Sequence, residues 1–243
     1  MIRPNTLGVT LSAIADMHRR NKLQLPNGDS LVEETWDSTL RHLGRARNKK
    51  APLSAAELRR MMDELPAGLI GLRDRALLLL GFAGGFRRAE LVALQCTSLK
   101  FVPEGLEVFV ERSKTDQEQK GHLKMAAYGS DPATCPVRAV KDWLEISGFV
   151  EGPVFRPINR HEQMVEKALT GQAVATIVRR TAAKAGLPVP DLSGHSLRAG
   201  VVTAAASGGA DYPSIMDQTG HASLNTVSWL QSAQGQVEEA RER

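Results

Sequence analysis

Leu72-Arg73-Asp74-Arg75-Ala76-Leu77-Leu78-Leu79-Leu80, followed after a glycine break by Gly85-Phe86-Arg87-Arg88-Ala89-Glu90-Leu91, is the stretch from which the rest of the chain is read. From Leu69 the apolar positions follow a helical period through Leu80. Gly81, Gly84 and Gly85 break that period, and Arg87 to Leu94 reads as a short second helix. Glu90 follows Arg87 by three positions, so it lies one helical turn away and is placed to orient the guanidinium. The apolar run Ala76 to Ala83 covers eight residues, too few for a membrane span.

Beyond this helix the period changes from helical to alternating. Ser98 to Val102, Leu106 to Glu111 and His122 to Tyr128 carry β-formers with Gly and Asp at their joints, which predicts a small three-stranded antiparallel sheet. Pro136 to Ile146 is helical again, and Val154-Phe155 reads as one more short strand. Further helices are expected at about Gly171 to Ala185, Ser193 to Ser207 and Tyr212 to Thr219, with a last one from about Leu224 that runs into the polar tail Glu238 to Arg243. Upstream, Ser54 with Glu57 has capping-box spacing and opens a helix through about Leu65. Two earlier helices, about Thr10 to Arg20 and Ser30 to Leu43, flank the turn-like Leu25-Pro26-Asn27-Gly28-Asp29. The fold class is therefore mainly α with a small three-stranded antiparallel sheet. The domain boundary falls near Lys50, between residues 1–50 and 51–243.

The 243 residues, 42% hydrophobic and 24% charged, suffice for one sizeable core, and disorder is excluded as a first reading. The start Met1-Ile2-Arg3-Pro4-Asn5 lacks the layout of a signal peptide, so a cytoplasmic protein that touches no membrane is expected. Cys96 and Cys135 have no metal-ligand spacing and read as two reduced thiols. The net charge is only +4, yet Arg41, Arg45, Arg47, Lys49 and Lys50 lie in one decapeptide without an acid. That decapeptide reads as a strap of cations for phosphates, hence a DNA-binding candidate.

Common catalytic signatures are absent. The sequence has no phosphate-binding loop of the Walker type and no dinucleotide fingerprint, so no nucleotide cofactor is expected. Gly194-His195-Ser196-Leu197 starts like a nucleophile elbow, but Arg198 stands where glycine is required. The sequence carries no metal-ligand motif, so no metal is expected. What remains is a set of cations and imidazoles at helix starts and turns: Arg87, Lys114, His195, Arg198 and His221. Arginines grip phosphate oxygens with two parallel donors, and a helix start adds backbone donors and partial positive charge. His195 and Arg198, three apart, share a helix face and can reach one ligand.

In order and wording these segments resemble the tyrosine recombinase, or phage integrase, family. Leu72 to Leu80 with Gly85 to Leu91 looks like its first arginine box, and Arg112-Ser113-Lys114-Thr115-Asp116 like its β-hairpin lysine motif. Gly194-His195-Ser196-Leu197-Arg198-Ala199-Gly200 looks like its His-x-x-Arg box, and Thr219-Gly220-His221 like its final histidine motif. The resemblance runs from about Pro52 to Val227. It implies the DNA breaking-rejoining catalytic fold, with Arg87, Arg198 and His221 holding the scissile phosphate. It also implies that His195 assists proton transfer and that Lys114 protonates the leaving 5′ oxygen. Preorganised guanidinium donors suit the charge that gathers on a pentacoordinate phosphorane.

Two departures accompany the resemblance. The family's nucleophilic tyrosine stands about nine residues after the final histidine; from His221 that count lands on Leu230 in Ser228-Trp229-Leu230-Gln231-Ser232, and no tyrosine occurs in the last 31 residues. Tyr128 and Tyr212 are misplaced, and serine needs an activating base to attack. Second, the family's four-helix core-binding domain has room here for only two helices and a basic linker before Pro52. The expectation is a protein that binds duplex DNA through the Arg-Lys-His-Arg-His pocket but lacks its own nucleophile. The alternatives are a recombinase subunit that takes its tyrosine in trans from a second family member, and a protein-interaction module on the same fold.

Overall fold

The computed structural model describes residues 4–43, 51–111, 121–188 and 192–220. Lys114, His221, Leu230, Arg45, Arg47, Lys49, Lys50 and the helix expected from about Leu224 lie outside the described residues. The chain divides into two compact units, Met1–Lys49 and Lys50–Arg243.

The first unit is a helical hairpin: α1 (Pro4–Arg20), a 3-10 turn (Pro26–Gly28) and α2 (Ser30–Leu43). Helix α1 starts six residues earlier than its periodicity suggests, because proline is accommodated in a first turn and Gly8 leaves room for the Trp36 ring. Each helix ends in basic residues that complement its dipole, His18, Arg19 and Arg20 in α1 and Arg41 and His42 in α2. Among the described residues of this unit only Ala15 is buried, while Val9, Met17 and Leu31 stay exposed.

In the second unit, α3 (Ala55–Asp63) begins at the Ser54–Glu57 capping box read from sequence. Helix α4 (Leu69–Ala83) carries buried residues around most of its circumference and forms the central element, packed against α6 (Pro136–Ser147) and α8 (Gly194–Ser207). Leu77, Leu78, Leu80, Trp143 and Phe155 form the centre of the core, and all are fully buried. Asp74 on α4 accepts from Arg73 at 2.6 Å and from Arg180 of α7 (Gly171–Lys184) at 2.5 Å, an ionic tie between the two helices in which Asp74 is buried and Arg180 half-exposed. Gly200 brings α8 close to the segment before α3: a Cβ there would stand 2.0 Å from the Leu53 carbonyl oxygen.

Strands β1 (Leu99–Val102), β2 (Gly105–Val110) and β3 (His122–Ala127) form one antiparallel sheet in that order. Its register pairs Val108 with Lys124 and Val110 with His122. The short helix α5 (Arg88–Ala93) lies between α4 and the sheet in sequence, and α9 (Tyr212–Thr219) follows α8. Val154-Phe155 is not a strand. Pro153 makes a single bridge to Gln95, Val154 donates to the Leu94 carbonyl at 2.9 Å, and Leu169 donates to Phe155 at 2.9 Å. Flanking prolines Pro153 and Pro157 cannot donate to a ladder, so the segment stays a buried extended loop.

Candidate functional site

The site forms where α4 ends. Gly85 adopts the left-handed conformation, φ 56°, and Phe86 and Gly85 donate back to Gly81 and Phe82. This is a Schellman turn, which only glycine enters without strain. A Cβ at Gly85 would also meet the Thr219 methyl at 2.8 Å. The turn delivers Arg87 to the start of α5. Glu90 then accepts from the Arg87 backbone N–H at 2.9 Å and from its Nη1 at 2.6 Å, which orients the guanidinium as its spacing suggested.

Arg87 Nη2 donates to the Gly220 carbonyl at 2.8 Å. Arg198, buried on α8, donates through Nη1 to the Gly85 carbonyl at 2.8 Å and to the Thr219 carbonyl. A third cation completes the cluster. Lys124 Nζ, on β3, donates to Gly84 at 2.8 Å and to Gln218 at 2.9 Å, and lies 4.0 Å from Glu90 Oε2. The last carbonyls of α9 and its cap, Gln218, Thr219 and Gly220, are thus each held by a different cation: Lys124, Arg198 and Arg87. The negative end of the helix dipole favours this placement.

The electrostatics follow from burial and crowding of like charge. Burial, then the neighbouring Arg87, lowers Arg198 to about 10, with Glu90 opposing. Burial lowers Lys124 to about 7; Glu90 opposes this, while Arg198 and Arg87 add to it. His195 lies at the start of α8 beside Arg88, Arg198 and Arg87. Partial desolvation and then those three charges hold its imidazole below the ordinary value, so it is neutral and able to accept a proton near pH 7. Among the described residues, Arg87, Arg198 and Lys124 crowd positive charge around the buried Glu90, which favours an anionic ligand. No group of His, Cys, Asp and Glu suited to a metal occurs among the described residues.

Of the residues singled out by sequence, Arg87, Glu90 and Arg198 converge, and His195 stands exposed at the edge of their field. Arg41 is on α2, in the other unit. Two residues near the cluster were missed. Lys124 sits among Leu123 and Met125 in a strand where hydropathy alone draws attention to its neighbours. The His122 ring comes within 3.6 Å of where a Gly220 Cβ would stand, and Arg87 Nη1 within 3.7 Å of the same point. The only sequence signal for either was their shared parity in β3, which puts both on one face of the sheet.

The model of the phage integrase family matches residues 51–234. The chain belongs to the phage integrase family. An integrase/recombinase XerD homologue of Selenomonas ruminantium is 37% identical over 233 residues, 93% of this chain and 67% of that protein. The tyrosine recombinase XerD of Corynebacterium glutamicum is 26% identical over 214 residues, 85% of this chain and 64% of that protein. The chain thus spans about two thirds of the length of these family members. Crystal structures of XerA recombinase (TM-score 0.58, 16% identity, 96% of this chain and 74% of that one) and of XerH recombinase bound to its difH substrate (0.58, 18%, 94% and 67%) share the fold. The mainly helical class with a small antiparallel sheet is that of the family. Among the described residues no helix is long and apolar enough to cross a membrane.

Proposed function

We propose that this family member binds duplex DNA by gripping a backbone phosphate with Arg87 and Arg198, and that it does not cleave the strand by itself. The observation that carries the reading is the convergence of both guanidiniums on one glycine turn and one helix end, with Glu90 bracing Arg87. Carbonyl and carboxylate bonds fix the plane of each guanidinium before a ligand arrives, so little ordering entropy remains to be lost on binding. By their place in the family motifs, Lys114 and His221 join this set and His195 supplies the neutral imidazole. The cations from Arg41 to Lys50 add phosphate contacts that are independent of sequence.

Loss of cleavage follows from Leu230. The family match extends to residue 234, so position 230 falls inside it, and leucine has no nucleophilic atom. The XerH recombinase that shares the fold is named in complex with its difH substrate, which supports duplex DNA as the ligand.

The test is selection of bound duplexes from a random-sequence pool, followed by anisotropy titration of the enriched duplex. Arg87→Lys and Arg198→Lys keep the charge but lose the two-pronged grip, and are expected to weaken binding at least tenfold each. Unchanged affinity in both variants overturns the pocket, and failure to retain any duplex from the pool favours a protein-interaction module. Cleavage that arises only when a second family member is mixed in would favour the subunit that borrows a tyrosine.

A further inference from the structure

Strand β3 reads His122-Leu123-Lys124-Met125-Ala126-Ala127, and its register runs against hydropathy. Lys124 faces inward and is 1% exposed, while Leu123 and Met125 on the opposite face are 56% and 37% exposed. A shift of one residue would bury both apolar side chains and free the lysine. The observed register gives up that burial, and what it gains is one ammonium with partners in three segments.

Those partners are the carbonyls of Gly84, at 2.8 Å, and Gly85, at 3.5 Å, in the turn after α4, and of Gln218, at 2.9 Å, at the end of α9. The Phe86 ring centroid lies 4.8 Å from Nζ, and Glu90 Oε2 lies 4.0 Å away. The Gln218 side chain strengthens the same seam, donating to the Met125 carbonyl of β3 at 2.6 Å. The two segments that Lys124 joins are those whose carbonyls hold the arginines: Gly85 and Thr219 hold Arg198, and Gly220 holds Arg87.

We propose that Lys124 is a positioning residue of the anion site, which acts by tying the Gly84-Gly85 turn to the end of α9 and so fixing Arg87 and Arg198 in one arrangement. The proposal rests on the reading of that site as a phosphate pocket. Its effect depends on pH. Burial leaves Lys124 half-protonated at about 7, so the tie is strongest below neutrality, and an arriving anion draws a proton onto the neutral amine, which becomes the ammonium. The charged and titratable groups facing it are Glu90 and Arg87 at α5, Arg198 on α8 and Asp217 on α9. His122 lies two residues away on its own strand, and His195, at the start of α8, is in the field of Arg88, Arg198 and Arg87.

The experiment follows the side-chain Nε–Hε resonances of Arg87 and Arg198 in the free full chain, assigned with the lysine variants above, from pH 5.5 to 9. In the wild type both are expected to titrate with a midpoint near 7, and their hydrogen exchange to accelerate at least tenfold beyond the rise set by pH alone. In Lys124→Met that transition is expected to vanish, and exchange is expected to be fast at all pH values. An unchanged midpoint and unchanged exchange in Lys124→Met overturn the proposal. If that variant does not fold, the wild type decides: the Lys124 side-chain carbon and the two arginine resonances must share one midpoint, and separate midpoints overturn the proposal. Because no DNA is present, failure of the DNA reading leaves this result standing. Where the wild type does bind duplex, Lys124→Met is expected to lose at least tenfold in affinity.

Discussion

Glu90→Ala removes the one carboxylate that the cation cluster shares. The Glu90 side chain is 2% exposed, accepts from Arg87 Nη1 at 2.6 Å and from its backbone N–H at 2.9 Å, and sits 4.0 Å from Lys124. Breaking a buried pair from one side costs about 3–5 kcal/mol, because the partner charge stays behind. The Arg87 side chain is 18% exposed and recovers some hydration, so the lower end, about 3 kcal/mol, is expected. For a unit of this size that corresponds to a fall in Tm of roughly 6–12 °C. Glu90→Gln keeps the shape and one acceptor oxygen, but sets an amide donor against an Arg87 N–H, and is expected to lose about half as much. The loss also depends on pH. Lys124 is protonated at pH 6 and largely neutral at pH 9, so Glu90→Ala costs more at pH 6. Urea unfolding followed by circular dichroism at both pH values measures all of this. A loss under about 1 kcal/mol at pH 6, or equal losses for Ala and Gln, would refute the view that Glu90 holds the cluster together.

Four further outcomes are expected. Gly200→Ala forces a Cβ to within 2.0 Å of the Leu53 oxygen and 2.7 Å of the Phe82 ring, and is expected to cost about 3 kcal/mol or more in thermal unfolding. Gly148→Ala, left-handed at φ 70° but with open space around it, is expected to cost only about 1–2 kcal/mol. Stability of the wild type is expected to rise with pH between about 7 and 10. Over that range the unfolded chain still binds a proton that folded Lys124 has released, so the slope approaches about 1.4 kcal/mol per pH unit and disappears in Lys124→Met. Replacing Arg41, Arg45, Arg47, Lys49 and Lys50 together by alanine is expected to flatten the dependence of log affinity for duplex DNA on log salt by roughly four to five units. An unchanged slope would remove the strap from the interface.

Much of the fold was legible because local chemistry and tertiary packing agree. The Ser54–Glu57 cap, the helix Ser30–Leu43 and the three strands lie where capping, periodicity and turn residues put them. The convergence of Arg87 with Arg198 was legible only as motif order, since no local rule brings residues so far apart in sequence together. Where local and tertiary terms disagree, the sequence misled. Val154-Phe155 has the composition of a strand, but flanking prolines and burial against Trp143 make it a loop. Lys124 was hidden because its burial depends on carbonyls from α9 and the α4 turn, which lie 94 and 40 residues away. Helix α1 was expected from about Thr10 but starts at Pro4, because its first turns carry no apolar period and Gly8 packs against Trp36, a contact that local periodicity does not show.

The most direct test of the central claim is incubation of the chain with its selected duplex carrying a single nick beside the bound phosphate, followed by denaturing electrophoresis in SDS. Retention of that duplex under native conditions is expected, with no protein-linked DNA band after SDS. Leu230→Tyr is expected to gain such a band. A covalent band from the unaltered chain would contradict the account, because it would require a nucleophile that Leu230 cannot supply.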